Sequence, residues 1–481
     1  LRRVIALCRT VSDVEALTCA WEAQRSQSWE LSVILPRENG PDAEARRRAA
    51  SASSITATDS PIESALRLAA ESEIAWILRD GRTPEAGSLA VIDHWFEHRD
   101  VELAYGDSMV DGVGVRTRPR YGRIRALSTG DLGDSCVLRG SAVQRMLDSR
   151  SSAPHSWHEA LMAAVDAATA VEHIPVVLDA GRAHPPLTAR ALAALINPTH
   201  PGGMLSADGR HVIPRETLTD ESICIIIPSI GSPADFEGVE RPALLACLES
   251  ILARGTSLIE QIVIVAGERM PPAVVEAARQ LAGPLLTVVH IEGAFNFSAS
   301  CNLGAAQSTA SHLLFLNDDI EAVTDGWLEA MAGLAVRPGV GAVGARLLFP
   351  DGRLQHCGIT VRPDTCEPNH LYYGLAPRDV SDPSARECSE FLAVTGACLL
   401  VSRADFESVG GFSLGLPVNY NDVDLCLKLK AAGKSSVSCN PVTLIHREST
   451  SRIPTIAPEE QRAMEMWRGV VQDDPYWYAW S

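Results

Sequence analysis

The chain has 481 residues, 46% of them hydrophobic, and a formal net charge of -18. That length favours two or three domains, each able to bury a core, and the acidic balance excludes nucleic acid as the main partner because phosphate contacts need a concentrated basic face. Twelve cysteines are scattered without a C-x-x-C pair, which fits reduced thiols in a cytosolic setting better than a disulfide frame or zinc site.

The opening LRRVIALCRT passes at once into polar sequence, and no apolar run approaches the roughly 18 to 20 residues that cross a bilayer. Neither a span nor a signal peptide is expected, and a first residue other than Met fits a trimmed or mature start. The first half then reads as strand VIALCR, a helix through EALTCAWEAQ, strand ELSVILP, a helix near 61–72 and strand EIAWILRDG. Between 196 and 221 Pro, Gly and polar residues collect without periodicity, which marks a boundary. The second half alternates briskly: strand 222–228, helix near 241–254, strand 261–265, helix 271–282, strand 285–291, helix 298–308 and strand 312–316. Such alternation predicts an α/β fold with a mostly parallel sheet covered by helices. The first half repeats that order faintly, so an internal duplication is expected. The resulting division is 1–200, a linker 201–221, a main domain 222–452 and a helical, aromatic tail 453–481.

Chemistry gathers in the second half. The run LLFLNDDIE (313–321) ends a buried strand in Asn317, Asp318 and Asp319, placing two carboxylates where a hard divalent cation can bind. VNYNDVDLCLKLKAAG (418–433) puts Asp422 and Asp424 before an amphipathic helix, and His446 follows the short apolar run of LIHREST. In a doubly wound sheet these groups converge outside the strand ends, the outline of a metal-assisted transfer site. At the matching place the first half reads WILRDGRTP, leaving Asp80 alone between Arg79 and Arg82. A lone carboxylate between arginines is a poor cation site, so the first copy is expected to be non-catalytic.

Taken together, FNFSASCNLGA (295–305), LLFLNDDIE, VGAVGARLLFPDGRLQHCGI (340–359), VTGACLLVSRADFESVGGF (394–412), NDVDLCLKL and LIHRESTSR resemble bacterial family 2 inverting nucleotide-sugar glycosyltransferases of the GT-A fold. The similarity is to the rhamnosyltransferase-like branch that builds O-antigen and other surface polysaccharides. The first half, through ELAYGDSMVDGVGVRTRPRYG (102–122) and VEHIPVVLDAGR (171–182), looks like a degenerate copy, giving two tandem GT-A-like domains. The resemblance implies that Asp318 faces the ribose or the metal and that Asp319 ligates Mg2+ or Mn2+. It implies Asp422 as the general base, Asp424 as a loop-orienting residue and His446 beside the metal or diphosphate, with Arg447 adding charge there and His356 touching substrate. Pro228 and Ser229 would open the nucleotide pocket, Asn302 and Gly304 would border the diphosphate, and Gly396 with Ala397 would let the backbone approach beside the acceptor. The implied partners are a nucleotide-sugar donor and a glycan or lipid-linked glycan acceptor, with peripheral contact at the inner membrane face.

One departure stands out. Family members end the second strand in an Asp that helps read the nucleobase, whereas QIVIVAGERM has Ala266 there, with Glu268 two residues on. The segment SIGSPADFEGVERP is also longer than the usual loop. Ala266 and the eroded first half keep open a non-catalytic glycan- or partner-binding protein built from decayed transferase domains, and nucleotidyl transfer, which shares the fold type and the metal acids, is a third reading. The tail is expected to pack on the main domain, or to meet a partner or acceptor, through Trp467, Trp477 and Trp480.

Overall fold

The computed structural model describes all residues except 25–27, 37–53, 117, 119–121, 130–131, 151, 183, 185–202, 207–208, 210, 237, 255–256, 363, 381, 448–455, 472–473 and 475–481. The chain divides into two compact units, Leu1–Thr188 and Ala189–Ser481.

The first unit is built on β1 (Arg2–Leu7), β2 (Trp29–Pro36), β3 (Ser54–Thr58), β4 (Ile74–Leu78), β5 (Arg82–Pro84), β6 (Leu103–Val110), β7 (Gly114–Arg116), β8 (Ser135–Arg139) and β9 (Val171–Gly181). They form one sheet in the order β3-β2-β1-β4-β8-β6-β9-β5, with β7 paired to β6. The second unit opens with a hairpin of β10 (Met204–Leu205) and β11 (Val212–Ile213). Then come β12 (Ile223–Ser229), a hairpin of β13 (Pro233–Phe236) and β14 (Val239–Pro242), β15 (Ile259–Gly267), β16 (Leu286–Ile291), β17 (His312–Leu316) and β18 (Ile320–Ala322). After β19 (Val340–Leu348) follow β20 (Leu354–His356), β21 (Ile359–Val361), β22 (Pro368–His370), β23 (Cys388–Phe391), β24 (Cys398–Ser402) and β25 (Ser435–His446). The main path is β16-β15-β12-β17-β24-β19-β25-β18.

The two paths are the same. In each, the first four strands run parallel, the fifth is antiparallel to both neighbours, the sixth and seventh are parallel, and the eighth is antiparallel at the edge. Both sheets are thus mostly parallel, as expected. The strands before each acid turn are fully buried runs, IAWIL in β4 and HLLFL in β17, because a parallel sheet covered on both faces leaves no room for polar alternation. Near the C-terminal site, the helix Phe297–Ala305 starts where the Asn296 side chain accepts the Ala299 N–H at 2.9 Å, an N-cap that satisfies an otherwise orphaned donor.

Two segments differ from expectation. SIGSPADFEGVERP forms the β13–β14 hairpin rather than a loop. The described part of 201–221 also has structure: after the β10–β11 hairpin, Pro214 accepts from Arg337 at 3.0 Å and Glu216 pairs with Arg337 at 2.8 Å.

Candidate active site

β17 ends at Leu316 and the chain turns through Asn317, Asp318 and Asp319. The turn is anchored by the Asn317 N–H donating to the Ala397 carbonyl and by the Arg447 N–H donating to the Asp319 carbonyl, both at 3.0 Å. Beside it lies a cleft of about 270 Å3 whose lining includes Pro228, Ser229, Asp318, Asp319, Phe297 and His446. Ser229, the last residue of β12, donates its hydroxyl to Asp318 Oδ2 at 2.5 Å and accepts the Gly231 N–H at 3.0 Å. Burial pushes Asp318 up to about 6; the charge of Asp319 adds to the rise and the Ser229 hydrogen bond opposes it.

Sheet register supplies the histidine. Ile320 pairs with His446 across β18 and β25, and His446 Nε2 lies 3.0 Å from Asp319 Oδ1. The other ring nitrogen, Nδ1, is 2.6 Å from Gln355 Oε1. An amide oxygen only accepts, so Nδ1 carries the proton, and in the neutral ring Nε2 keeps a lone pair that receives the Asn317 amide at 3.2 Å. Two donor atoms 3.0 Å apart suit neighbouring ligands on a small octahedral cation with bonds of about 2.1 Å. Among the described residues no three His, Cys, Asp or Glu side chains form a metal cage by themselves.

Asp422 is the second residue of the helix Asn421–Ala431, entered through Tyr420 with a left-handed φ of 60°. Its Oδ1 accepts the Val423 N–H at 2.8 Å and its Oδ2 the Gly396 N–H at 2.7 Å. A Cβ on Gly396 would lie 3.2 Å from Asp422 Cβ and 3.5 Å from the Phe297 ring, so only glycine allows this approach without a shift. Asp422 is not itself among the lining residues. Gly396 does not line the cleft either; it lies between Asp422 and Phe297, and Phe297 is the lining residue. Asp424, by contrast, is fully engaged: it accepts from Ser413 at 2.6 Å, Trp467 Nε1 at 3.0 Å and Lys428 at 2.8 Å. Trp467 therefore packs the tail against this helix, and Glu460 fixes the preceding loop through the Asn419 backbone and side chain at 2.9 and 2.8 Å. Trp477 and Trp480 lie outside the described residues.

Other expected groups sit apart from the cleft. Both ends of the Asn302 amide are spent on the backbone of Phe412, at 2.9 and 3.0 Å, so it braces the 411–412 turn and does not line the cleft. Gly304 packs against Ile226 and Val265. His356 is wholly buried 3.1 Å from His370, and burial holds its pKa well below the ordinary value, so it is not a substrate-facing group. Arg447 lies over the Phe236 ring at 4.3 Å and pairs with Glu321 at 2.9 Å. Ala266 is buried within β15, and the Glu268 carboxylate accepts the Gly293 N–H at 2.8 Å, so Glu268 fixes a turn.

Sequence reasoning missed Gln355 and the hairpin that brings Ser232, Pro233 and Ala234 to the cleft. Phe236, flanked by Arg241 and Arg447 at 4.4 and 4.3 Å, was the available signal: an aromatic before a glycine turn amid charged residues.

Residues 224–365 match Glycosyl transferase family 2. The O-antigen biosynthesis protein RfbC of Myxococcus xanthus is 35% identical over 50% of this chain and 19% of its own length. The uncharacterized protein y4gI of Sinorhizobium fredii is 37% identical over 45% of this chain and 24% of its own. The chain thus spans about a fifth to a quarter of these relatives. Among solved structures, GalNAc-T7 with UDP, GalNAc and Mn2+ aligns at 14% identity over 55% of this chain and 51% of that one, with a TM-score of 0.42.

Proposed function

We propose that the C-terminal unit is a metal-dependent inverting glycosyltransferase that moves a sugar, rhamnose or another deoxyhexose, from a nucleoside diphosphate to a growing surface glycan. The observation that carries this reading is the gathering of Asp318, Asp319 and His446 in one cleft whose wall, through Phe297 and Gly396, meets Asp422. Asp319 and His446 are the residues that would hold Mg2+ or Mn2+, which supplies positive charge to the departing diphosphate. Asp318, held by Ser229, borders the ribose side, and Pro228 with Ser229 forms the nucleotide wall. Asp422 accepts the acceptor hydroxyl proton as that oxygen attacks the anomeric carbon from the face opposite the diphosphate; the Gly396 and Val423 N–H groups fix its carboxylate for this. Direct displacement inverts the anomeric centre. The relationship to an O-antigen biosynthesis protein supports a glycan or lipid-linked glycan acceptor at the cytoplasmic face of the membrane, met by surface contact. Among the described residues no helix is long and apolar enough to cross a membrane.

The test is release of nucleoside diphosphate from uridine, thymidine and guanosine sugar donors, with product stereochemistry read by NMR. Turnover that needs Mg2+ or Mn2+ and falls about 10²- to 10⁴-fold in Asp422→Asn supports the assignment. Ala266 motivates a second reading, a binding protein without turnover. Donor binding with no product in any metal would establish that reading and overturn the first.

A further inference from the structure

The two sheets share register as well as order. Leu78 pairs with Ser135 as Leu316 pairs with Cys398, and Arg82 pairs with Gly181 as Ile320 pairs with His446. Asp80 therefore stands at the place of Asp318, Gly81 at that of Asp319 and Gly181 at that of His446. Both side chains suited to a cation are missing here. A Cβ on Gly181 would lie 2.1 Å from the Gly81 carbonyl, so backbone fills the space that ligands would need.

A cleft nevertheless persists at the carboxyl ends of β1, β2 and β4, and at about 560 Å3 it is larger than its C-terminal counterpart. We infer that it is a metal-independent binding site for a neutral saccharide, whether or not the C-terminal domain transfers sugar.

Charge and geometry argue against an anion. The two guanidiniums on the cleft are already engaged, Arg9 by Asp80 and Arg79 by Asp134 at 3.0 Å. Arg9 and Arg79 are balanced by Asp59 and Asp80 among the lining residues, so the formal charges cancel. The adjoining helix Trp157–Ala167 is closed by its own cap: Ser156 accepts the Glu159 N–H at 3.2 Å and Glu159 accepts the His155 N–H at 3.1 Å. A phosphate would have to break these pairs and face Asp80. A polyhydroxyl ligand meets fixed donors and acceptors side by side and brings no charge to desolvate. Leu7, Ile34 and Ile62 supply apolar wall for the C–H faces of a ring, and the volume falls in the range of small-molecule sites.

The full chain, held in EDTA, is to be tested by saturation-transfer NMR against the methyl α-glycosides of rhamnose, mannose, glucose and galactose, with UDP and pyrophosphate as anionic comparators. We expect at least one glycoside to bind, equally in Asp319→Asn, and about tenfold or more weakly in Asp80→Asn and in the cleft-filling Ile62→Arg. Thermal melts of both variants verify folding, and the near-isosteric Asp80→Asn stands alone if Ile62→Arg fails to fold. Three results would each overturn the inference: no glycoside binding, binding lost in Asp319→Asn, or displacement of the glycoside by UDP or pyrophosphate.

Discussion

Gln355 offers a sharp test because it touches His446 and not the cleft. It is 5% exposed, and its Oε1 holds the His446 Nδ1 proton at 2.6 Å. Gln355→Leu keeps the bulk and removes the acceptor. Either the buried Nδ1–H is orphaned, which costs about 1–3 kcal/mol, or the proton moves to Nε2 and consumes the lone pair a cation would need. At about 1.4 kcal/mol per tenfold, Mn2+ affinity should fall about 5- to 140-fold, which brackets the roughly 10- to 100-fold seen when outer partners of metal ligands are removed. Gln355→Glu, which retains an acceptor, should restore most of it. Free Mn2+ followed by electron paramagnetic resonance measures the affinity, and 15N NMR of the imidazole reports the tautomer. If Gln355→Leu binds Mn2+ like the parent while Nδ1 stays protonated, the reasoning fails.

Gly396→Ala places a Cβ 3.2 Å from Asp422 Cβ; a shift of a few tenths of an ångström in the candidate base should lower turnover about tenfold or more with little change in melting temperature, so parallel kinetics and calorimetry decide it. Gly304→Ala would meet Ile226 Cγ2 at 2.4 Å and Val265 Cγ2 at 3.1 Å, an overpacking expected to cost about 1–3 kcal/mol in urea unfolding. In the N-terminal unit, burial works to raise Asp134, but His184 and Arg79 outweigh it and hold the carboxyl at about 2. Because the folded value lies below the unfolded one, this stability is full above about pH 4 and is lost as pH falls toward 2. Asp134→Asn should therefore remove about 2 kcal/mol at pH 7 and flatten the acid limb of the stability curve between those values. Trp467→Phe deletes the 3.0 Å hydrogen bond to Asp424 and should cost about 1 kcal/mol in the same unfolding assay.

Legibility in the sequence followed burial. Strand 312–316 falls on the expected residues and 223–229 within one of them, because strands covered on both faces leave continuous apolar runs between helices. β3 reads SITAT, half-exposed and polar, and carries no such run. The β13–β14 hairpin was hidden by Pro, Gly and charge, since its register is fixed by pairing and by arginines stacked on Phe236 and not by its own core. The acid turn and His446 were visible as a pattern because each ends an apolar strand. Gln355 was invisible: its meaning depends on a histidine 91 residues away that only β-sheet closure brings beside it. Asn302 shows the converse, a motif residue whose amide is already consumed by a neighbouring turn.

Repeating one strand order twice in a chain also bears on biosynthesis. Each of the eight strands on either main path has a twin with the same neighbours and polarity along that path, so an emerging polypeptide carries two sets of competing docking partners. Vectorial synthesis counters this by letting the first unit close before the second leaves the ribosome. Refolding of the intact chain from denaturant should accordingly yield more misassembled and aggregated product than separate refolding of either half.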